Sequence, residues 1–530
     1  MFFGTKLGVL SPDLVYTDGF AFTRGEQLLN LGVLAVLAAG LYLLVRKFSK
    51  KLTLVLVIGT VALVGMGGVS VAKIINQTAE TKVQLAATTD ELPTITLSKE
   101  KENVVVIMLD RGISSFVPYI MEENSELKEQ FDGFTFYANT LAYGGYTNFA
   151  TPALYGGYDY TPAELNERDT ELLADKHDEA LKVVPTLFTE AGYDVTLIDP
   201  SYAGYQQIPD LSIYEDMPGV KAYLAEGKFN EPAQQKRTVA ARKRNFFLFS
   251  LMKTMPLSLQ SPIYNNGEYR AVATDVGEEN TSSIYQAFLK AYNVLKNLSS
   301  FTEATDSEKG TYTFLRSNST HEATVLQEPD FEPAATVDNS AYYPAEGKTI
   351  TDGENSVLLS WNYPLAHYHA NMASLMKLGD WFDKLRKLGV YDNTRIIIVS
   401  DHGRDLGLFD QDSNRLHDIE FYQAMLLVKD FDSTGFTITE DFMTNADVAA
   451  LSLEGIVENP VNPFTGNPIA YSDAEDEEHH VIISSEWDIQ TNKGTQFFES
   501  EWATVSGDVR VKDNWTFSGE ASALPPNYEK

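Results

Sequence analysis

Three short stretches of this 530-residue chain carry side chains that could do chemistry together. The apolar run Arg395-Ile396-Ile397-Ile398-Val399 stops at Ser400-Asp401-His402-Gly403-Arg404, which sets a carboxylate beside an imidazole. A second apolar run, Asn103 to Leu109, ends in Asp110. Carboxylate oxygens and an imidazole nitrogen are ligands for a divalent cation. Between the two runs, Gly144-Gly145-Tyr146-Thr147 offers a glycine pair followed by a hydroxyl, and the residues after Thr147 can open a helix, which leaves Thr147 at its positive end. Beside a cation, such a hydroxyl can be deprotonated and attack phosphorus, giving covalent phosphothreonine. Taken singly, each feature has a plainer reading. Asp-His-Gly is a strand-ending turn, Asp110 a strand-end residue, Thr147 an N-cap, and Thr140 and Thr151 offer the same hydroxyl.

These residues need a scaffold, and the chain between them supplies one. Short runs of branched apolar residues read as strands buried on both faces, and open α/β sheets place ligands beyond the carboxyl ends of such strands. Val184 to Asp199 reads as a helix, a glycine stop and a strand; Ile284 to Leu298 is an amphipathic helix; Tyr312 to Leu315 and Ala424 to Val428 are strand candidates. His367-Tyr368-His369 leads a helix to about Leu388, its apolar face carrying Met372, Leu375, Leu378, Trp381, Phe382 and Leu385, and these two histidines read as structural. Phe331 to Glu354 reads as an irregular excursion, and Asn445 to Leu451 as a helix. From Ala474 the chain is acidic, and His479-His480 then opens alternating strands through Phe517, a small antiparallel subdomain.

The net charge of −33, from 74 acidic and 41 basic residues, argues against nucleic acid and anionic lipid as general partners. Catalysis on an anion would need metal to reverse the local field. The absence of cysteine excludes disulfides, thiolate zinc sites and cysteine nucleophiles. Leu28 to Val45, apolar apart from Asn30, and Leu52 to Ala72 are each about long enough to span a bilayer, and Arg46-Lys47-Phe48-Ser49-Lys50-Lys51 between them is a basic loop. The positive-inside rule puts that loop in the cytoplasm and both flanks outside. The expected organisation is an extracytoplasmic segment over residues 1–27, two transmembrane helices over 28–72, a tether over 73–101, a catalytic domain over 102–470 and the antiparallel subdomain over 471–530. Lys236 to Pro256 holds the one basic and aromatic concentration, read as a core helix with a solvated basic end in preference to a lipid contact.

Strand-Asp110, the Gly145 to Pro152 run and Ser400-Asp401-His402-Gly403 together resemble the alkaline phosphatase superfamily, and within it the sulfatase-domain membrane enzymes that include lipoteichoic acid synthase and the phosphoethanolamine transferases. The resemblance runs from about Asn103 to Ile469. It implies an α/β sandwich of a mixed, mostly parallel sheet between helices, with metal held by Asp110, Thr147, Asp401 and His402 and with Thr147 as nucleophile. It also implies substrate or second-metal contacts at His321 and His417, and Arg404 could pair with phosphate through its planar fork. The transferases usually carry Glu where this chain has Asp110. A true sulfatase needs a Cys/Ser-x-Pro-x-Arg motif, and Thr147-Asn148-Phe149 offers none, which argues against sulfate ester hydrolysis.

The function expected is a membrane-anchored phosphotransferase moving glycerol phosphate or phosphoethanolamine from a phospholipid or lipid-linked donor to an envelope polymer or glycan. The ligand types suit Mn²⁺, Zn²⁺ or Mg²⁺. The rivals are a phosphodiesterase or sulfatase-like hydrolase of the same fold, and an envelope-binding protein without activity.

Overall fold

The computed structural model describes residues 22–87, 92–230, 246–264, 283–334, 336–360, 363–408, 414–472, 477–526 and 528. The chain divides into two units: residues 1–89 with 231–287, and residues 90–230 with 288–530.

In the first unit Thr23 and Glu26 form a reciprocal cap, Thr23 N donating to the Glu26 carboxylate at 2.8 Å and Glu26 N to Thr23 Oγ1 at 3.3 Å. Helical backbone then runs from Arg24 to Ala87, broken at Phe48 (φ −130°, ψ 33°) inside the basic loop. The break separates two helices, Arg24–Ser49 and Thr53–Asn76, each long and apolar enough to cross a membrane. The tether expected over residues 73–101 is not irregular. Its first part continues the helix, and Ile95–Ser98 is a strand paired in parallel with Thr302–Thr305 in the second unit (β1 and β6). The basic cluster Lys236 to Arg244 lies outside the described residues, whereas residues 246–254 and Leu257–Tyr264 are helical on either side of Pro256.

The second unit is built on an eight-stranded sheet whose members are β2 (Asn103–Leu109), β3 (Phe134–Leu141), β4 (Asp194–Ile198), β5 (Val220–Tyr223), β7 (Thr311–Ser317), β10 (Thr394–Val399), β11 (Leu426–Lys429) and β12 (Thr437–Thr444). Their spatial order is β12-β3-β11-β10-β2-β7-β4-β5, and only the pairings made by β11 are antiparallel. Every residue of β2 and β10 is buried. Their side chains alternate between two cores: Val105, Ile107, Ile396 and Ile398 pack with Leu375, Trp381 and Phe382 of the Tyr363–Leu388 helix, while Val104, Val106, Ile397 and Val399 pack with Leu154, Val184 and Phe188. That two-sided burial is why these strands read as continuous apolar runs, with no polar alternation.

The excursion expected over Phe331 to Glu354 contains part of a hairpin, Lys348–Asp352 with Asn355–Leu359 (β8 and β9). The C-terminal subdomain is an antiparallel sheet of His479–Ile483, Glu501–Val505 and Trp515–Phe517 (β13 to β15), as its alternation predicts.

Candidate active site

Parallel pairing sets the site. Val399 of β10 lies opposite Met108 of β2, so Asp401 and Asp110, two residues beyond each, leave the sheet at one level. Both are buried, at 0% and 3% exposure, and His402 is at 1%. Ligand atoms of Asp110, Asp401 and His402 all lie within 4.8 Å of one another.

Asp401 is held by backbone: its Oδ1 accepts N–H bonds from Arg111 and His402, both 3.0 Å. Arg111 adopts φ 59°, a left-handed conformation uncommon outside glycine, in the turn that directs its amide there. Asn445 donates to the Asp401 carbonyl and to that of Ala150, both 3.1 Å, tying the strand end to the Thr147 helix. His402 Nδ1 lies 2.7 Å from the Gly403 carbonyl, which can only accept, so the proton is on Nδ1 and the Nε2 lone pair is free 3.6 Å from Asp401 Oδ2. Gly403 makes this turn possible. A Cβ there would stand 2.1 Å from the Glu420 carbonyl oxygen and 2.7 Å from that of Gln423. Gly403→Ala is expected to cost about 2–3 kcal/mol in a denaturant titration, because backbone on the facing segment must move.

Thr147 is the first residue of the Thr147–Gly156 helix, preceded by extended Tyr146. Its hydroxyl is close enough to the Asp401 carboxylate to oppose the rise in that group's pKa. The two other hydroxyls are engaged elsewhere: Thr151 donates to the Thr147 carbonyl at 2.7 Å and Thr140 to that of Tyr137 at 2.8 Å. The glycine pair is required by close packing, since a Cβ on Gly144 would meet Phe149 Cβ at 2.5 Å and one on Gly145 the Phe421 ring at 3.0 Å. Tyr146 stacks on Trp487 of the C-terminal subdomain with ring centroids 5.8 Å apart, so that subdomain walls one side of the site.

The electrostatics call for a cation. Burial, and then Asp401, raises the Asp110 carboxyl above the usual range, and burial does the same to Asp401. Among the described residues neither Asp110 Oδ1 nor Asp401 Oδ2 has a hydrogen-bond partner. Burial, followed by Arg111, pushes His402 down to about 3, so the imidazole is neutral and available as a ligand. Two buried carboxylates with unmatched oxygens, a neutral imidazole and a hydroxyl fit a divalent metal ion. The donor set does not select among Mn²⁺, Zn²⁺ and Mg²⁺.

Cationic groups surround this centre. Arg316, near the end of β7 beside β2, lies 3.6 Å from Asp110 Oδ2 and 3.8 Å from Glu226. Arg404 is buried, pairs with Asp405 at 2.9 Å and lies over the Tyr363 and Phe421 rings at 5.1 and 5.6 Å. Burial and the neighbouring Arg111 charge bring its pKa down to about 9. Beside them His321 is neutral: burial together with the Arg111 charge lowers it to about 3, and its Nδ1 lies 3.2 Å from Glu322.

His417 is not among these groups. Its Nε2 lies 3.0 Å from Glu501 of β14 and its ring stacks on Phe517 of β15 at 4.1 Å, so it fastens the C-terminal sheet. His369 is structural as expected: its Nδ1 accepts the Leu326 amide and its Nε2 faces Glu328 at 3.2 Å. His367 differs. It is fully buried, and after burial the charges of Arg111 and Arg404 press its pKa well below the ordinary value, which places it with the cationic cluster. His479 Nδ1 lies 3.1 Å from the hydroxyl of Tyr143, just after β3, and His480 Nδ1 lies 3.3 Å from Thr504 Oγ1 within the subdomain. Arg111, Arg316 and Asn445 carry no functional role in the sequence reading, which gave His367 a structural one. The readable signal for Arg316 was an arginine closing an apolar strand.

No protein-family model and no curated protein sequence matches the chain. Solved structures similar to it include a protein in the alkaline phosphatase superfamily from Vibrio parahaemolyticus (13% identity, 83% of this chain, 84% of that chain, TM-score 0.40). Others are the lipoteichoic acid synthase LtaP from Listeria monocytogenes (11%, 79%, 89%, 0.38) and the phosphonate monoester hydrolase of Agrobacterium radiobacter (15%, 79%, 88%, 0.38).

Proposed function

We propose that the chain is a membrane-anchored, metal-dependent phosphotransferase with Thr147 as nucleophile, taking glycerol phosphate or phosphoethanolamine from a lipid donor to an envelope polymer or glycan. The observation that carries this reading is the convergence of Asp110, Asp401 and His402 at two parallel strand tips, with the Thr147 hydroxyl close enough to Asp401 to lower its pKa. Asp110, Asp401, His402 and Thr147 would hold a divalent ion, which when bound supplies Lewis-acid chemistry and makes a hydroxyl nucleophilic at neutral pH.

Thr147 Oγ forms the new bond to phosphorus while the bond from phosphorus to the lipid alcohol breaks, and the leaving oxygen takes a proton from solvent. The Asp401 carboxylate stands as acceptor for the Thr147 proton. Arg404, Arg111 and His321 hold the anionic phosphoryl group. An acceptor alcohol then attacks phosphorus and gives its proton to solvent, the bond to Thr147 Oγ breaks, and Thr147 Oγ takes back the proton held by Asp401. With the basic loop in the cytoplasm, the catalytic unit acts outside the membrane.

In this reading, wild-type protein incubated with Mn²⁺ and phospholipid labelled in its headgroup phosphate carries the headgroup phosphoryl on Thr147 by peptide mass spectrometry. Labelled polymer or glycan as the end product identifies a transferase. Free headgroup phosphate identifies a hydrolase with water as second acceptor. An adduct on another residue, or none, refutes the assignment of the nucleophile.

A further inference from the structure

The insertion between β5 and the main helix that follows it belongs to the first unit, with the two apolar helices. Three observations describe how it sits there. Asn30, the single polar residue in the stretch Leu28 to Val45, accepts the backbone N–H of Leu257 at 3.3 Å. Leu257 is the first residue of the Leu257–Tyr264 helix, so Asn30 satisfies one of the donors that a helix start leaves open. Phe22, just before the first apolar helix, packs on Phe249, Met252 and Tyr264. The outward side of residues 246–254 carries Phe246 and Phe247, 63% and 67% exposed, together with Lys253, whose ammonium lies 4.9 Å from the Phe249 ring.

The depth of the attachment follows from helix geometry. Asn30 lies six residues beyond Arg24, about 9 Å along the axis. A hydrocarbon core of about 30 Å takes about 20 helical residues, and counting back from the basic loop at Arg46 brings its outer limit within about two turns of Asn30. A segment hydrogen-bonded at Asn30 therefore lies at the boundary between headgroups and acyl chains. In that zone a helix is stable with phenylalanines toward the acyl chains and a lysine toward phosphate.

We propose that residues 246–264 form a second membrane contact, lying in the headgroup boundary of the bilayer beside the first span, with Phe246 and Phe247 inserted among the lipids. This rests on the reading of the two apolar helices as membrane spans. It replaces the sequence expectation of a core helix for this segment.

The chain has no cysteine, so a single introduced thiol can be labelled uniquely. Full-length Phe247→Cys protein, labelled with an environment-sensitive nitrobenzoxadiazole dye, is placed in phosphatidylglycerol–phosphatidylcholine vesicles holding nitroxide lipids with shallow or deep quenchers. Phe246→Cys serves as an independent second position. Leu37→Cys in the first span and Glu308→Cys on the surface of the second unit are the references. The proposal expects shallow nitroxides to quench the Phe247→Cys label at least about two-fold, with deep ones less effective. The Leu37→Cys label is quenched best by deep nitroxides and the Glu308→Cys label by neither. A quenched Leu37→Cys label with unquenched labels at 246 and 247 overturns the proposal and leaves the anchor intact. An unquenched Leu37→Cys label overturns the anchor and the proposal together. Labels at 246 and 247 shielded from aqueous iodide yet untouched by lipid quenchers mean that a protein surface covers them, which also overturns the proposal.

Discussion

Thr147→Ala is expected to lower kcat by at least about a thousand-fold, a loss near 4 kcal/mol of transition-state stabilisation, and to abolish the phosphorylated adduct. The fold should be left alone. Thr147 starts its helix but does not cap it: the preceding residue is Tyr146, which makes no side-chain cap. The effect on stability is accordingly about 1 kcal/mol or less, measured by denaturant titration. Metal content provides a second check. Asp110, Asp401 and His402 remain in the variant, so elemental analysis should find the ion still present in the inactive protein. Undiminished turnover would point to another nucleophile or to no covalent intermediate.

Asp401→Asn tests the centre from the other side. The amide oxygen can still accept from the Arg111 and His402 amides, so the turn is preserved. The charge that draws a cation is lost. Affinity for the divalent ion should fall by more than about a hundred-fold, over 2.7 kcal/mol, with turnover falling at least as far as for Thr147→Ala. Stability separates this effect from misfolding. Burial already raises the Asp401 carboxyl, so the metal-free parent carries a strained negative charge that the amide removes. Metal-free Asp401→Asn should therefore be at least as stable as the metal-free parent, while metal should stabilise only the parent. Equal metal content in the two proteins would remove Asp401 from the ligand set.

The strand pair and its two aspartates were legible because β2 and β10 are buried on both faces, so each is an unbroken apolar run with an abrupt polar end. The choice among Thr140, Thr147 and Thr151 was not legible, since hydroxyl direction depends on which carbonyl lies nearby. Arg111 and Arg316 escaped notice for a similar reason: arginine beyond a strand normally points to solvent, and only the pleat and register of β7 turn Arg316 toward Asp110. His417 was placed by loose spacing, which cannot see that Glu501 and Phe517, some 80 to 100 residues later, take its ring. The β8–β9 hairpin was hidden by composition, because three of the five residues of β9 are exposed and one more is partly so, leaving little apolar pattern to read. The helix through Ala87 was missed because its Thr- and Glu-rich end has no apolar periodicity.

The passage of the chain through the first unit a second time bears on how the second unit could be cut free of the first. One proteolytic cut between residues 87 and 92 severs the covalent link on that side only. Residues 246–264 remain seated on Phe22 and Asn30 and stay joined by peptide bonds to β5 on one side and to the helix ending at Asn297 on the other. Separation of the second unit therefore takes further scissions flanking that insertion, or forces that strip it from the first helix.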